Sequence, residues 1–68
     1  MQTFKIKNEY IQLNQLIKAM GWCENGAEAN AIIEQGLVRV NDVIELRKRN
    51  KIYPKMIVEF NYQKVIIE

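Results

Sequence analysis

Histidine is absent from the 68 residues, and the chain has one cysteine, one proline and three glycines. Without histidine, a Cys–His dyad and a Ser–His–Asp triad are closed to it, and any metal site loses its commonest ligand. Cys23 has no internal disulfide partner, which agrees with a reducing compartment, and it reads as a small, partly buried hydrophobe rather than a nucleophile. The eight carboxylates are mostly spaced singly among polar or basic neighbours, as solvated surface charges are. No enzymatic activity, metal or other cofactor is therefore expected. No apolar run approaches the roughly 20 residues that cross a bilayer, and Met1 to Lys7 lacks the apolar core of a secretory signal. A cytoplasmic protein with no membrane contact is expected.

What is present is a composition of 49% hydrophobic and 26% charged residues, too apolar for disorder. The length suits one globular domain over residues 1–68. A chain of this size buries only about 60% of the surface its unfolded form exposes, which leaves little for an enclosed cavity and favours a surface binder. There is no internal repeat, low-complexity tract or linker.

Short elements follow one another along the chain. Thr3 to Lys7 alternates, with Phe4 and Ile6 on one face and Lys5 and Lys7 on the other, as a half-buried strand does. Leu13, Leu16, Ile17 and Met20 recur at the spacing of one helical stripe, and Gly21 follows where a left-handed C-terminal cap sits. Asn25, with Glu28 three residues on, predicts the N-terminus of a second, Ala-rich helix that ends at Gly36. Leu37 to Val40 and Val43 to Leu46 flank Asn41-Asp42 as a β-hairpin does. Ile52 is expected as a buried anchor and Pro54-Lys55 as a turn. Met56 to Phe60 and Lys64 to Ile67 complete the strands, joined near Asn61 to Gln63. Trp22, Phe4 and Phe60 read as core cover.

The charge is unevenly placed. Residues 39–55 hold six basic side chains (Arg39, Arg47, Lys48, Arg49, Lys51, Lys55) against Asp42 and Glu45, while the rest of the chain has four basic side chains against six acidic ones. Like charges packed this closely repel one another unless an anionic partner offsets them. All three arginines lie in this segment, and the planar guanidinium suits bidentate phosphate contacts. Tyr53 beside the patch suits either base stacking or packing. If the segment is extended, Arg47, Arg49 and Lys51 point to one side and Lys48 to the other. A helix-turn-helix reader of duplex DNA is disfavoured, because residues 26–35 of the second helix offer Glu28 and Glu34 but no Lys or Arg to the phosphates.

The stretch NGAEANAIIEQGLVRVNDVIELRKRNKIYP, within residues 12–60, resembles the core of the S-four RNA-binding domain, named for a ribosomal small-subunit protein. Gly36, Val38, Val40 and Asn41 match its Gly-x-Val-x-Val-Asn-Gly, with Asp42 in place of the last glycine. With the first strand, Gly21-Trp22 and Glu45 to Ile52 included, the chain is similar to the small stand-alone bacterial members called YbcJ-like or YaaA-like. The resemblance implies an α+β fold with the αL RNA-binding motif, a two-helix hairpin packed on a small bent antiparallel sheet with structured RNA gripped beside it. Three positions where the family commonly has arginine carry Gln12, Gly26 and Asn30, and Lys55-Met56 replaces the usual Gly-Asp turn. The helical face is thus neutral, and the expected RNA contacts shift to Arg39, Arg47, Lys48, Arg49, Lys51, Tyr53 and Lys55.

The expected function is non-enzymatic binding of structured RNA by a monomer. Ribosomal RNA, during assembly or repair of ribosomes, is the expected target within a family whose substrates are ribosomal and transfer RNAs. The alternative is a module that docks an acidic surface of a ribosomal or regulatory protein. Affinity for RNA at near-physiological salt separates the two.

Overall fold

The structure, a computed structural model, describes residues 1–68. Leu13, Leu16 and Ile17 put one apolar stripe on helix α1 (Leu13–Ala19), and all three are fully buried. The helix stops because Gly21 takes φ +73°, which lets its N–H reach the carbonyl of Lys18 at 3.0 Å and that of Trp22 reach Ile17 at 3.2 Å. This is the paired bonding of a Schellman motif. Helix α2 (Gly26–Glu34) starts where the Asn25 side chain accepts the Glu28 N–H at 2.9 Å, and the Glu28 carboxylate accepts the Glu24 N–H at 3.0 Å. It ends in the same way as α1, with Gly36 at φ +77° bonded to Ile33 and Leu37 bonded to Ile32. An Asn14–Asn30 hydrogen bond of 3.1 Å ties the two helices into a hairpin.

The strands are β1 (Gln2–Phe4), β2 (Ile11–Gln12), β3 (Val38–Val40), β4 (Val43–Ile44), β5 (Lys51–Ile52), β6 (Ile57–Phe60) and β7 (Gln63–Ile67). Five form one sheet in the order β1-β7-β6-β3-β4, and β2 pairs with β5 separately. One sheet face puts Val38, Val58, Val65 and Ile67 against Leu13, Leu16, Ile17, Ala29 and Ile33, and these residues with Ile52 are the buried core. The other face aligns Arg39, Glu59 and Lys64 across three strands. Tight turns fix the registers. Asn41-Asp42 (φ 50° and 68°) and Asn61-Tyr62 (φ 52° and 64°) both take the left-handed pair that a type I′ hairpin turn needs. Lys55, at φ 78°, follows Pro54 in a turn closed by the Met56 N–H on the Tyr53 carbonyl at 3.2 Å.

The α+β class and the two-helix hairpin on a small sheet are as expected, with four differences. The sheet is mixed, because β1 runs parallel to β7 while the other pairs are antiparallel. The first strand stops at Phe4 rather than Lys7, although Ile6 still bonds Glu68 and packs against the core. The β2·β5 pair was not anticipated, and the second hairpin strand ends at Ile44 rather than Leu46. No helix is long and apolar enough to cross a membrane.

Ile52 is fully buried on the strand that leads out of the basic segment. Ile52→Ala is expected to lower the unfolding free energy by about 2–5 kcal/mol, read from the midpoint of a urea titration. A variant as stable as the parent would show that this segment is not anchored through the core.

Candidate nucleic-acid interface

The basic segment is shaped by the backbone. Gln12, at the N-cap of α1, makes no side-chain capping bond. The first donors of the helix are met instead by the loop, with the Leu13 N–H on the Asn50 carbonyl at 2.8 Å and the Asn14 N–H on the Lys48 carbonyl at 2.9 Å. Between these points the chain turns, closed by the Asn50 N–H on the Arg47 carbonyl at 3.1 Å. It then pairs with β2 through Ile11↔Ile52 and Gln12↔Lys51. Carbonyls that cap a helix face inward, and the side chains of Arg47, Arg49, Asn50 and Lys51 are turned to the rim.

Arg47, Arg49, Lys51 and Tyr53 share an open groove of about 700 Å³ with Val40, Val43, Glu45, Asn50 and Met56. The expected separation of Lys48 from the other three is present, but a turn produces it, not an extended strand. Lys48 reaches back to α2, with Nζ 3.6 Å from a Glu34 carboxylate oxygen. Arg39 lies on the outer sheet face in a different depression, and Lys55 sits exposed in its turn without lining the groove. The structure thus brings four of the seven expected residues together.

Two residues outside the expected contact set hold the groove's side chains. Glu45, only 15% exposed, takes a fork from Arg47, with Nε to Oε2 at 3.0 Å and Nη2 to Oε1 at 3.1 Å, and also accepts the Arg47 backbone N–H at 2.9 Å. Those side-chain hydrogen bonds hold the Glu45 carboxyl below the usual carboxylate range against the opposing effect of burial, and they raise the pKa of the Arg47 guanidinium. The i, i+2 spacing of Glu45 and Arg47 in an extended segment was the available signal. Tyr10 is the second. Its ring lies 5.8 Å from that of Tyr53, and Lys51 Nζ sits 4.9 Å above its face, within cation–π range. Tyr53 is therefore partly a packing residue, though 41% exposed.

Arg47 and Lys48 are paired with carboxylates, whereas Arg49 and Lys51 carry charge with no acidic partner. On the helical face, Asn30 accepts a bond from Asn14 and offers no charge. Cys23 is a poor nucleophile, since burial and the nearby Glu28 push its thiol pKa up. No group of three or more His, Cys, Asp or Glu side chains is placed to hold a metal ion.

Comparison with known proteins places this geometry. The family model of the S4 domain matches residues 4–68. The protein named "Putative RNA-binding protein YbcJ" of Escherichia coli (strain K12) is 41% identical over 61 residues, covering 88% of this chain and 87% of the relative. The Shigella flexneri YbcJ, named as uncharacterized, matches to the same extent. The solution structure of YbcJ from E. coli, described as revealing an αL motif involved in RNA binding, superimposes with a TM-score of 0.73 at 38% identity, covering 98% of this chain and 86% of that one.

Because the folded-state pKa of Glu45 is depressed, the stabilisation from its fork with Arg47 is present above the unfolded carboxylate range and lost as pH falls through the folded value. In a carboxyl-detected NMR titration, Glu45 is expected to titrate below the ordinary glutamate value, and Arg47→Ala to move its midpoint upward. A Glu45 midpoint indifferent to that substitution would show that the fork does not persist in solution.

Proposed function

The chain belongs to the S4 domain family, and from that premise we propose that it binds structured RNA, without catalysis, through the groove beside the N-terminus of α1. The observation that carries this reading is the pair of uncompensated cations, Arg49 and Lys51, on a rim whose backbone is pinned to a helix. A rigid rim presents charge to phosphates with little ordering cost on binding. Arg47 adds a third cation already oriented by Glu45, and Lys48 contributes only on leaving Glu34. Tyr53 flanks the groove, while Arg39 and Lys55 lie outside it. The αL motif of the related E. coli structure, described as involved in RNA binding, supports the same reading.

The target is ribosomal RNA in assembling or repaired ribosomes, with transfer RNA the other class the family suggests. The protein acts in the cytoplasm as a monomeric single domain over residues 1–68, alone or beside ribosomal proteins. Recognition is by phosphate position and helix shape, since A-form RNA presents a wide, shallow minor groove rather than a readable major groove. Duplex DNA is a poor partner, because α2 brings Glu28 and Glu34 and no basic residue to a major groove.

The test is binding of labelled structured ribosomal RNA fragments at several salt concentrations, with duplex DNA as control. Arg49→Gln with Lys51→Gln is expected to weaken binding and to flatten the log–log salt dependence by about two released counterions. Glu45→Gln, which frees Arg47 from its carboxylate, is expected to tighten binding and steepen the slope by about one. No affinity for RNA at near-physiological salt would overturn the reading and leave docking on an acidic protein surface. Affinity unmoved by these substitutions would place the RNA on another face.

A further inference from the structure

Tyr62 is the most exposed large apolar side chain of the protein, at 97%, and it sits in the second central position of the β6–β7 turn with φ +64°. That conformation favours glycine or asparagine and strains a bulky L-residue. Neither packing nor turn geometry accounts for a tyrosine there. The Asn41-Asp42 turn is a useful contrast. It has the same backbone and residues suited to it, and its Asn41 Oδ1 accepts the Ile57 N–H at 3.0 Å.

Beside Tyr62 is a depression of about 360 Å³ that it shares with Gly36, Leu37, Arg39, Glu59 and Asn61. Arg39 faces Glu59 in register and Lys64 faces Glu59 from the other side, two cations to one carboxylate, and neither basic group forms an ion pair. An uncovered aromatic face beside an unpaired guanidinium is what a single unpaired nucleotide needs, since every base offers a π-face for stacking and an arginine can hold the adjoining phosphate.

We propose that Tyr62 is a stacking platform for one unpaired base, with Arg39 holding a neighbouring phosphate, so that the protein grips a helix in the basic groove and a single-stranded extension or bulge at the other end of β6. This rests on the RNA-binding reading above. The groove adjoins Val40 and Met56 while Tyr62 follows Phe60, so the two contacts lie at opposite ends of the β3–β6 ladder within a body 26 Å long. One RNA with a helix–single-strand junction reaches both.

The test compares a blunt ribosomal RNA hairpin with the same hairpin carrying a short single-stranded extension labelled with 2-aminopurine. Wild type is expected to bind the extended RNA more tightly and to alter the fluorescence of the label. Tyr62→Gly is expected to lose that advantage, up to about 5- to 150-fold for a stacking gain of about 1–3 kcal/mol, while binding the blunt hairpin as before. Its melting temperature should rise, because glycine relaxes the turn. Tyr62→Phe should keep the advantage and Arg39→Gln should reduce it. A structural role would instead lower stability and weaken binding to both RNAs. That outcome, or an extended-RNA affinity indifferent to Tyr62→Gly, would overturn the proposal and leave the groove intact. Failure of wild type to bind either RNA would overturn both readings.

Discussion

The first-turn N–H groups of α1 need acceptors, and the basic segment supplies them. A helix N-terminus leaves four donors without partners, and a Ser, Thr, Asp or Asn at the N-cap usually satisfies one or more. Gln12 does not, so the carbonyls of Lys48 and Asn50 must stand over Leu13 and Asn14. That requirement sets the path of the segment between β4 and β5. It turns at 47–50, leads Ile52 into the core, and leaves the side chains of Arg47, Arg49 and Lys51 nowhere to point but outward. The pairing of Ile11 and Gln12 with Ile52 and Lys51 completes the clamp. A segment without long regular structure is held by the same currency as a strand, backbone hydrogen bonds shielded by a buried aliphatic side chain.

Charge on that rim is organised rather than merely abundant. Four cations within five residues would repel one another and blur the loop's conformation, and two of them are placed against carboxylates. The Glu45–Arg47 fork is the stronger constraint, because three hydrogen bonds converge on a carboxylate that is largely shielded from water. The Lys48–Glu34 pair is longer and half exposed, and such pairs contribute little on their own. A count of basic residues therefore overstates the charge available to a partner, and the geometry narrows it to Arg49 and Lys51 with Arg47 in a fixed pose.

Much of this fold was legible because its punctuation is chemical. Asn25 with Glu28, the glycines at 21 and 36, and Asn41-Asp42 each have a local reason to be where they are, and each performs the expected task. The elements that escaped are those whose cause is tertiary. Two-residue strands such as β2 and β5 carry no periodicity to read, and they pair only because the segment is already clamped to α1. The parallel placement of β1 beside β7 depends on where the whole intervening chain leaves a free sheet edge. At the site, alternation separates Lys48 from Arg47, Arg49 and Lys51, but the turn that groups those three and the neutralisation of Arg47 by a shielded Glu45 are tertiary facts. Tyr10 was invisible as a partner of Lys51 because 41 residues separate them and only the β2·β5 pairing joins them.

The neutral helical face gives the proposed interface its direction. Gln12, Gly26 and Asn30, where the resemblance to the S-four domain leads one to expect arginine, carry no charge, and Asn30 spends its side-chain oxygen on Asn14. Beyond them, α2 carries Glu28 and Glu34 without a basic residue. An RNA approaching from the helix side would meet Glu28 and a Glu34 already paired with Lys48, and one approaching from the hairpin side would meet Arg49 and Lys51 first. Coulomb attraction and repulsion then act together to orient the encounter, which electrostatic steering does before any short-range contact forms. The bound RNA is thereby expected to lie toward β3 and β4 rather than across the helix hairpin. The same placement brings its flanking nucleotides along the β3–β6 ladder, past Arg39 at its middle on the outer face and toward Tyr62 beyond its far end.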